Sequence, residues 1–200
     1  MEALRQIAPA TWAIVIAVVV LAAALPWIWR WYRRRRARKE LIRTLTAGGI
    51  DYVSDVLVPD GMGGYFHTDF LLLTPRGILV IDLRDVRGNV FGSDQMEEWT
   101  VMDGARRYTF TNPLGGLYDR VAAVKALAGE VCVEGRIVFT ARASFPKGFP
   151  KLTVLVDALS VEFPAVDRTQ FSGPVAAFEE AWQRIKGSVL PSTLGQRQFG

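Results

Sequence analysis

The chain has 200 residues, half of them hydrophobic, and a formal net charge of +4. This length allows one ordinary domain with appendages, and the apolar content, which includes six tryptophans, is enough for a substantial core. The single cysteine, Cys132, excludes an internal disulfide, and its apolar neighbours predict a buried side chain. The single histidine, His67, argues against a zinc site built from several histidines.

The positive charge is concentrated in one short segment. Seven arginines and lysines lie between Arg30 and Lys39, so the rest of the chain carries a net charge of −3. Nucleic-acid-binding domains usually carry a basic patch on their folded surface. Nucleic acid is therefore an open partner for this chain, but the charge of its globular part does not favour it.

The N-terminal segment contains a long uncharged stretch, residues 6–29. A membrane span needs roughly 20 apolar residues, and Trp12 at one end with Trp27 and Tyr32 at the other resemble interfacial aromatic residues. These features predict a short extracytoplasmic N-terminus at residues 1–11 and one transmembrane helix at residues 12–32. By the positive-inside rule, the arginines that follow place the C-terminal domain in the cytoplasm and the N-terminus outside the cell membrane.

A cleaved signal peptide is the alternative interpretation of this segment, because Ala22, Ala23 and Ala24 provide the small residues of a cleavage site. The nearly neutral N-terminus, and the arginines after the apolar stretch instead of before it, favour a single-pass anchor. The lipid bilayer is then the predicted partner. Anionic lipids are expected at the basic residues from Arg33 to Lys39.

The rest of the chain alternates between strand and helix patterns. A basic juxtamembrane helix is predicted at residues 33–47, an α/β domain at residues 48–158, a C-terminal strand or turn and helix at residues 159–190, and a flexible tail at residues 191–200. The order of the elements predicts an α/β fold with a mixed central sheet flanked by helices. Strands are expected at residues 52–58, 66–73, 78–84, 97–102, 105–111, 136–140 and 152–156, and helices at residues 117–131 and, capped by Ser172, 173–186.

The hairpin at residues 66–84 is the most informative segment. Its strands are unbroken apolar runs, which is typical of strands buried on both faces. Each strand nevertheless carries an acid, Asp69 or Asp82, and an even-numbered loop centred on Pro75 and Arg76 places the two acids opposite each other. Like charges in this position are destabilising, so a cation is expected beside them.

Two cations are candidates for this role. Mg²⁺ prefers oxygen ligands, and Arg84 shares a strand face with Asp82 because side chains alternate along a strand. The residues alone leave both alternatives open. His67 shares the strand of Asp69, where it either faces the acids or serves a structural role.

These elements resemble the NERD (nuclease-related domain) family, a branch of the restriction-endonuclease-like PD-(D/E)xK fold. The resemblance covers roughly residues 40–158. It rests on Glu40 at the start of ELIRTL, on TDF at residues 68–70 before the turn at residues 74–77, on ILVIDLR at residues 78–84 with Gly88 after it, and on NPL at residues 112–114 before a helix.

The resemblance implies a site for a divalent metal, Mg²⁺, with Asp69 and Asp82 as ligands and Glu40 nearby. Arg84 would then stabilise charge during phosphodiester hydrolysis. The motif is altered, however: Asp82 replaces the usual glutamate and Arg84 replaces the lysine. Arginine keeps the charge, but it does not release a proton and it binds carboxylates through two nitrogens.

A further alteration lies after Asn112 and Pro113, where Gly115 and Gly116 stand in place of the family's glutamine. These changes favour a degenerate nuclease fold that acts as a membrane-anchored binding or scaffold module without a cofactor. The alternative is a Mg²⁺-dependent nuclease that hydrolyses phosphodiester bonds at the cytoplasmic membrane face.

Overall fold

The structure is a computed structural model that describes residues 9–167 and 176–192, without the side chains of residues 9–15, 17–19, 21, 176 and 177. The chain forms two compact units, Met1–Arg43 and Thr44–Gly200. The predicted helix cap at Ser172, most of the predicted N-terminus (residues 1–8) and most of the predicted tail (residues 193–200) lie outside the described residues.

Four helices and ten strands are described. In chain order they are α1 (Pro9–Thr46), β1 (Asp51–Pro59), β2 (Tyr65–Thr74), β3 (Gly77–Arg84), β4 (Gly88–Phe91), β5 (Glu98–Asp103), β6 (Arg106–Thr111), α2 (Pro113–Ala128), β7 (Val133–Phe139), β8 (Ala143–Ser144), β9 (Thr153–Leu155), α3 (Val156–Glu162), α4 (Ala176–Ser188) and β10 (Leu190–Pro191).

Helix α1 is continuous, so the segments predicted at residues 12–32 and 33–47 belong to one helix. Three arginine guanidinium groups lie over aromatic rings four residues earlier in this helix: Arg33 over Trp29, Arg35 over Trp31 and Arg36 over Tyr32, at 4.7, 4.7 and 5.6 Å from the ring centroids. This spacing brings side chains together on one helix face, and the contacts are cation–π interactions.

Within the described part of the chain, no helix has both the length and the apolar character needed to cross a membrane. The transmembrane helix predicted at residues 12–32 is therefore not supported by the structure.

The second unit contains a six-stranded mixed sheet with strand order β10-β1-β2-β3-β7-β9. Strands β1, β2 and β3 pair antiparallel, whereas β7 pairs parallel with both β3 and β9. The predicted mixed sheet flanked by helices is thus confirmed at this level. The segment from β4 to α2 forms the connection between the parallel strands β3 and β7.

The prediction of one sheet was incomplete, because β4, β5, β6 and β8 form a second sheet in the order β6-β5-β4-β8. The hairpin expected around Asp103 and Gly104 is present as β5 and β6. Its buried residues Trp99 and Val101 join the main hydrophobic core. The second sheet therefore packs its apolar face on the first sheet instead of extending it.

The hairpin of β2 and β3 has the predicted register. Pairing runs from Thr74 and Gly77 at the turn to Phe70 and Ile81, and the strands are almost fully buried between these pairs. Gly77 has a φ of 127°, and a Cβ at this position would overlap the carbonyl oxygen of Cys132. Glycine is thus required at this turn because both the dihedral angle and the space exclude a side chain.

Helices α2 and α4 contribute to the same core as the first sheet, through side chains that include Leu117 and Trp182. Helix α2 ends at Ala128, three residues before its predicted end, and Gly129 follows it with a φ of 68°. Cys132 lies in the connection between α2 and β7 and is exposed, so the prediction that it is buried was wrong. Of its apolar neighbours, Val131 lies in the same connection, whereas Val133 is the first residue of β7.

Candidate functional site

Three aspartates form one row across neighbouring strands of the first sheet. The pairing of β2 with β3 reaches Phe70 and Ile81, and one further step in the same register places Asp69 opposite Asp82. On the other side of β2, the flanking pairs of β1 with β2 place Asp55 opposite Asp69. We call Asp55, Asp69 and Asp82 the aspartate row.

Asp69 and Asp82 belong to the strand face that is covered by the main core. The paired residues Leu71 and Val80 belong to this core, together with Leu117 of α2. Asp69 lies two residues before Leu71, and Asp82 lies two residues after Val80. Because side chains alternate along a strand, both acids belong to the face of the sheet that α2 covers. The structure thus brings together the two acids that the sequence predicted as neighbours.

The carboxylate of Asp82 is almost completely buried, with a side-chain exposure of 4%. Arg84 places its Nε 2.7 Å from Oδ1 and donates a hydrogen bond from Nη2 to Oδ2 at 2.9 Å. Arg120 of α2 donates a second hydrogen bond from its own Nη2 to the same Oδ2. Both oxygens of Asp82 therefore contact guanidinium groups. We call Asp82, Arg84 and Arg120 the arginine cluster.

The sequence analysis missed Arg120, although the helix pattern contained a signal for it. Arg120 follows the buried Leu117 by three residues and precedes the buried Val124 by four. Residues with these spacings lie on one helix face, so the apolar stripe of α2 already placed Arg120 toward the sheet. The helix itself begins at Pro113, after Asn112 has capped it by accepting a hydrogen bond from the Leu114 N–H at 3.0 Å.

One of the two glycines after Asn112, Gly116, lies next to the side chain of Arg120. A Cβ built on Gly116 would lie 3.3 Å from Arg120 Nη1, which is tighter than an ordinary contact, and a longer side chain would compete with the guanidinium for this space. Gly116 thus leaves room for the arginine that binds Asp82.

Asp69 has different partners from Asp82. Its Oδ2 accepts a hydrogen bond from the backbone N–H of Leu83 at 2.8 Å, and its Oδ1 lies 3.9 Å from His67 Nδ1. Burial raises the pKa of the Asp69 carboxyl above its ordinary value, and the charge of Asp82 raises it further. The Leu83 N–H, His67 and Arg84 offset only part of this increase.

His67 connects the two remaining members of the aspartate row. Its Nε2 lies 2.8 Å from Asp55 Oδ1, on the side of the ring opposite to Asp69. Asp55 has a φ of 56°, a left-handed conformation that aspartate tolerates better than most residues. The sequence analysis placed His67 near Asp69 but missed Asp55, because no pattern in β1 indicates the left-handed residue.

Glu40, the fourth predicted site residue, lies on α1 in the first unit. The residues of the aspartate row and of the arginine cluster lie in the second unit. Glu40 therefore stays a prediction of the family resemblance.

A divalent cation does not fit the acids in this arrangement. Metal ligation needs carboxylates with accessible oxygens, but both oxygens of Asp82 contact arginines. Over the residues that the structure describes, no group of three or more histidine, cysteine, aspartate and glutamate side chains is placed to hold a metal. The predicted metal ligands Asp69 and Asp82 thus lie close together, and the oxygens of Asp82 already contact arginine side chains.

Comparison with known proteins identifies the family. The family model described as nuclease-related domain (NERD) matches residues 30–140, more than half of the chain. The chain therefore belongs to the NERD family, and the matched region contains the arginine cluster. Searches among curated proteins and among solved structures found no match.

The buried Asp69 carboxyl generates a prediction on pH dependence. Because the pKa of Asp69 is raised in the folded state, the folded protein retains this proton at pH values where the unfolded chain has released it. The free energy of unfolding should therefore fall as the pH rises from 3.8, the ordinary pKa of aspartate, to the raised pKa of folded Asp69. Above that raised pKa it should stay lower. Asp69→Asn should therefore be more stable than the wild type at neutral pH.

Urea denaturation of the full-length protein across this pH range measures the effect. The stability gained by Asp69→Asn should shrink toward zero below the ordinary pKa of aspartate, where the Asp69 carboxyl is protonated in both the folded and the unfolded protein. Asp119→Asn, which removes an exposed carboxyl from α2, is the matched control and should show no such trend. An Asp69→Asn variant that is less stable than the wild type at neutral pH would contradict the argument.

Proposed function

We propose that this protein is a membrane-anchored binding or scaffold module built on a degenerate nuclease-related fold. The observation that carries the proposal is the arginine cluster, in which Asp82 contacts Arg84 through both oxygens and Arg120 through one. A nuclease of this family would use Asp82 as a metal ligand, whereas here its charge is already compensated by the protein.

The energetics of buried charge support a structural role for this cluster. Taking charged groups out of water is costly, and removing one partner of a buried pair typically costs about 3–5 kcal/mol because the other charge is left uncompensated. Asp82 is buried and Arg120 is largely buried. Their contact joins β3 to α2, so the fold depends on keeping the cluster intact. This requirement favours a fixed binding scaffold over a site that exchanges a metal ion.

Membrane anchoring through the N-terminal segment is the second part of the proposal. It is supported by the uncharged stretch at residues 6–29 and by the arginines that follow it. On α1, the apolar side chains Ile16, Val20 and Leu25 and the aromatic Trp27 are exposed, and they need an apolar environment. We propose a single-pass arrangement with the N-terminus outside and the second unit in the cytoplasm, and with anionic lipids near Arg33 and Lys39.

The first part of the proposal is tested by metal titration of the full-length protein. Millimolar Mg²⁺ or Mn²⁺ should leave its melting temperature unchanged, because a ligand that binds only the native state would raise it. The protein should also leave single-stranded and double-stranded DNA and RNA intact in the presence of these metals. The measurements are thermal unfolding and gel assays of labelled nucleic acid.

Two variants make this test decisive. Metal-dependent cleavage that Asp82→Ala abolishes would establish the alternative, a Mg²⁺-dependent nuclease. Arg84→Lys should lower the stability of a metal-free cluster, because lysine cannot contact both oxygens of Asp82 as a planar fork does. If Arg84→Lys keeps the stability of the wild type and gains cleavage activity, the result would support the nuclease.

The anchor is tested by fractionating cells that produce the full-length protein. The protein should stay in the membrane fraction after washes with high salt and with alkaline carbonate. Val20→Arg should reduce this fraction, because an arginine in the middle of a membrane span costs about 3 kcal/mol. Val161→Arg, the same change at an exposed valine of α3, is the matched control and should have no effect. Release of the wild type by high salt alone would contradict the anchor.

A further inference from the structure

The arginine cluster contains two guanidinium groups with the same charge but different settings. Arg84 lies two residues after Asp82 on the same strand, and 38% of its side chain is exposed. Arg120 comes from another element, α2, and only 15% of its side chain is exposed. The two residues differ in how easily their guanidinium groups can move away from Asp82.

The position of Arg84 is compatible with a cation beside Asp82. Its side chain lies at the end of β3 and is the more exposed of the two, although its Nε is buried against Asp82. Arg120 has no equivalent freedom, because α2 is packed on the sheet through Leu117 and Val124. Its guanidinium is directed to Asp82 Oδ2 and lies alongside Gly116.

We infer that Arg120, and not Arg84, is the residue that excludes a divalent cation from Asp82. This inference rests on the proposed function, since it explains how the charge of Asp82 is compensated without a metal. It goes beyond the proposed function in one respect: Asp69 and Asp82 remain able to bind a divalent cation once Arg120 is removed.

Charge and position lead to different expectations for the two arginines. Removing either one takes away a single positive charge, so charge alone predicts the same gain in metal affinity for both variants. Removing Arg84 leaves Oδ2 in contact with the largely buried Arg120, whereas removing Arg120 leaves both oxygens in contact with the more exposed Arg84 alone. The positions of the two arginines therefore predict a gain in metal affinity for the Arg120 variant alone.

The experiment compares Arg120→Met with Arg84→Met in the full-length protein, with Mn²⁺ as the probe. Thermal unfolding reports stabilisation, and electron paramagnetic resonance of Mn²⁺ reports the bound fraction directly. Arg120→Met should melt about 3 °C or more higher with millimolar Mn²⁺ than without it. Wild type and Arg84→Met should show no shift, and the double variant Asp82→Asn with Arg120→Met should lose the gain.

A matched control separates this effect from a general loss of positive charge on α2. Lys125→Met removes an exposed cation from the same helix and should not create Mn²⁺ binding. If Arg120→Met is unfolded without metal, Arg120→Gln keeps a hydrogen-bond donor for Asp82 and takes its place. If this variant is unfolded as well, recovery of a cooperative unfolding transition with Mn²⁺ supports the inference, and a lack of recovery overturns it.

The outcomes distinguish the inference from the proposed function. Equal Mn²⁺ binding by the Arg120→Met and Arg84→Met variants, or none by a folded Arg120 variant, overturns the inference and leaves the proposed function standing. Binding of Mn²⁺ by the wild type that Asp82→Asn abolishes overturns both, because Arg120 then excludes nothing.

Discussion

The buried negative charge of Asp82 is the constraint on which the arrangement of the site depends. An ionised carboxylate with 4% exposure needs close positive charge or hydrogen bonds, because the protein interior solvates it poorly. Here the compensation comes from two directions, from Arg84 on the same strand and from Arg120 on α2. The second contact joins α2 to the end of the central hairpin. The packing of Leu117 and Val124 against the core holds α2 at the same place.

This compensation gives different partners to the two acids that the family resemblance implies as metal ligands. Asp82 is paired with arginines, whereas Asp69 is held by the Leu83 N–H and neighbours His67. Burial raises the pKa of the Asp69 carboxyl above its ordinary value. The chain belongs to the NERD family, but these two carboxyl groups have separate environments. This is the physical basis for proposing a binding or scaffold module in place of a metal-dependent enzyme.

The sequence was most informative where structure is local. The hairpin of β2 and β3 was predictable because its apolar runs and its four-residue turn are continuous in the chain, and its register followed from the turn. The second sheet was not predictable, because the pairing of β4 with β8 depends on contacts between distant segments. The contact between Asp82 and Arg120 spans 38 residues, and the helical pattern of α2 predicted its apolar face without showing which strand it would meet. Asp55 depends on a left-handed backbone conformation that its neighbours do not specify.

The energetic coupling between Asp82 and Arg120 tests the account most directly. A double-mutant cycle of Asp82→Asn, Arg120→Met and the combined variant measures it through urea denaturation of the full-length protein. If the two charges compensate each other in the core, each single change should cost about 3 kcal/mol or more, and the combined change should cost clearly less than their sum. Costs that simply add would contradict the account, since they would mean that Asp82 and Arg120 stabilise the fold independently.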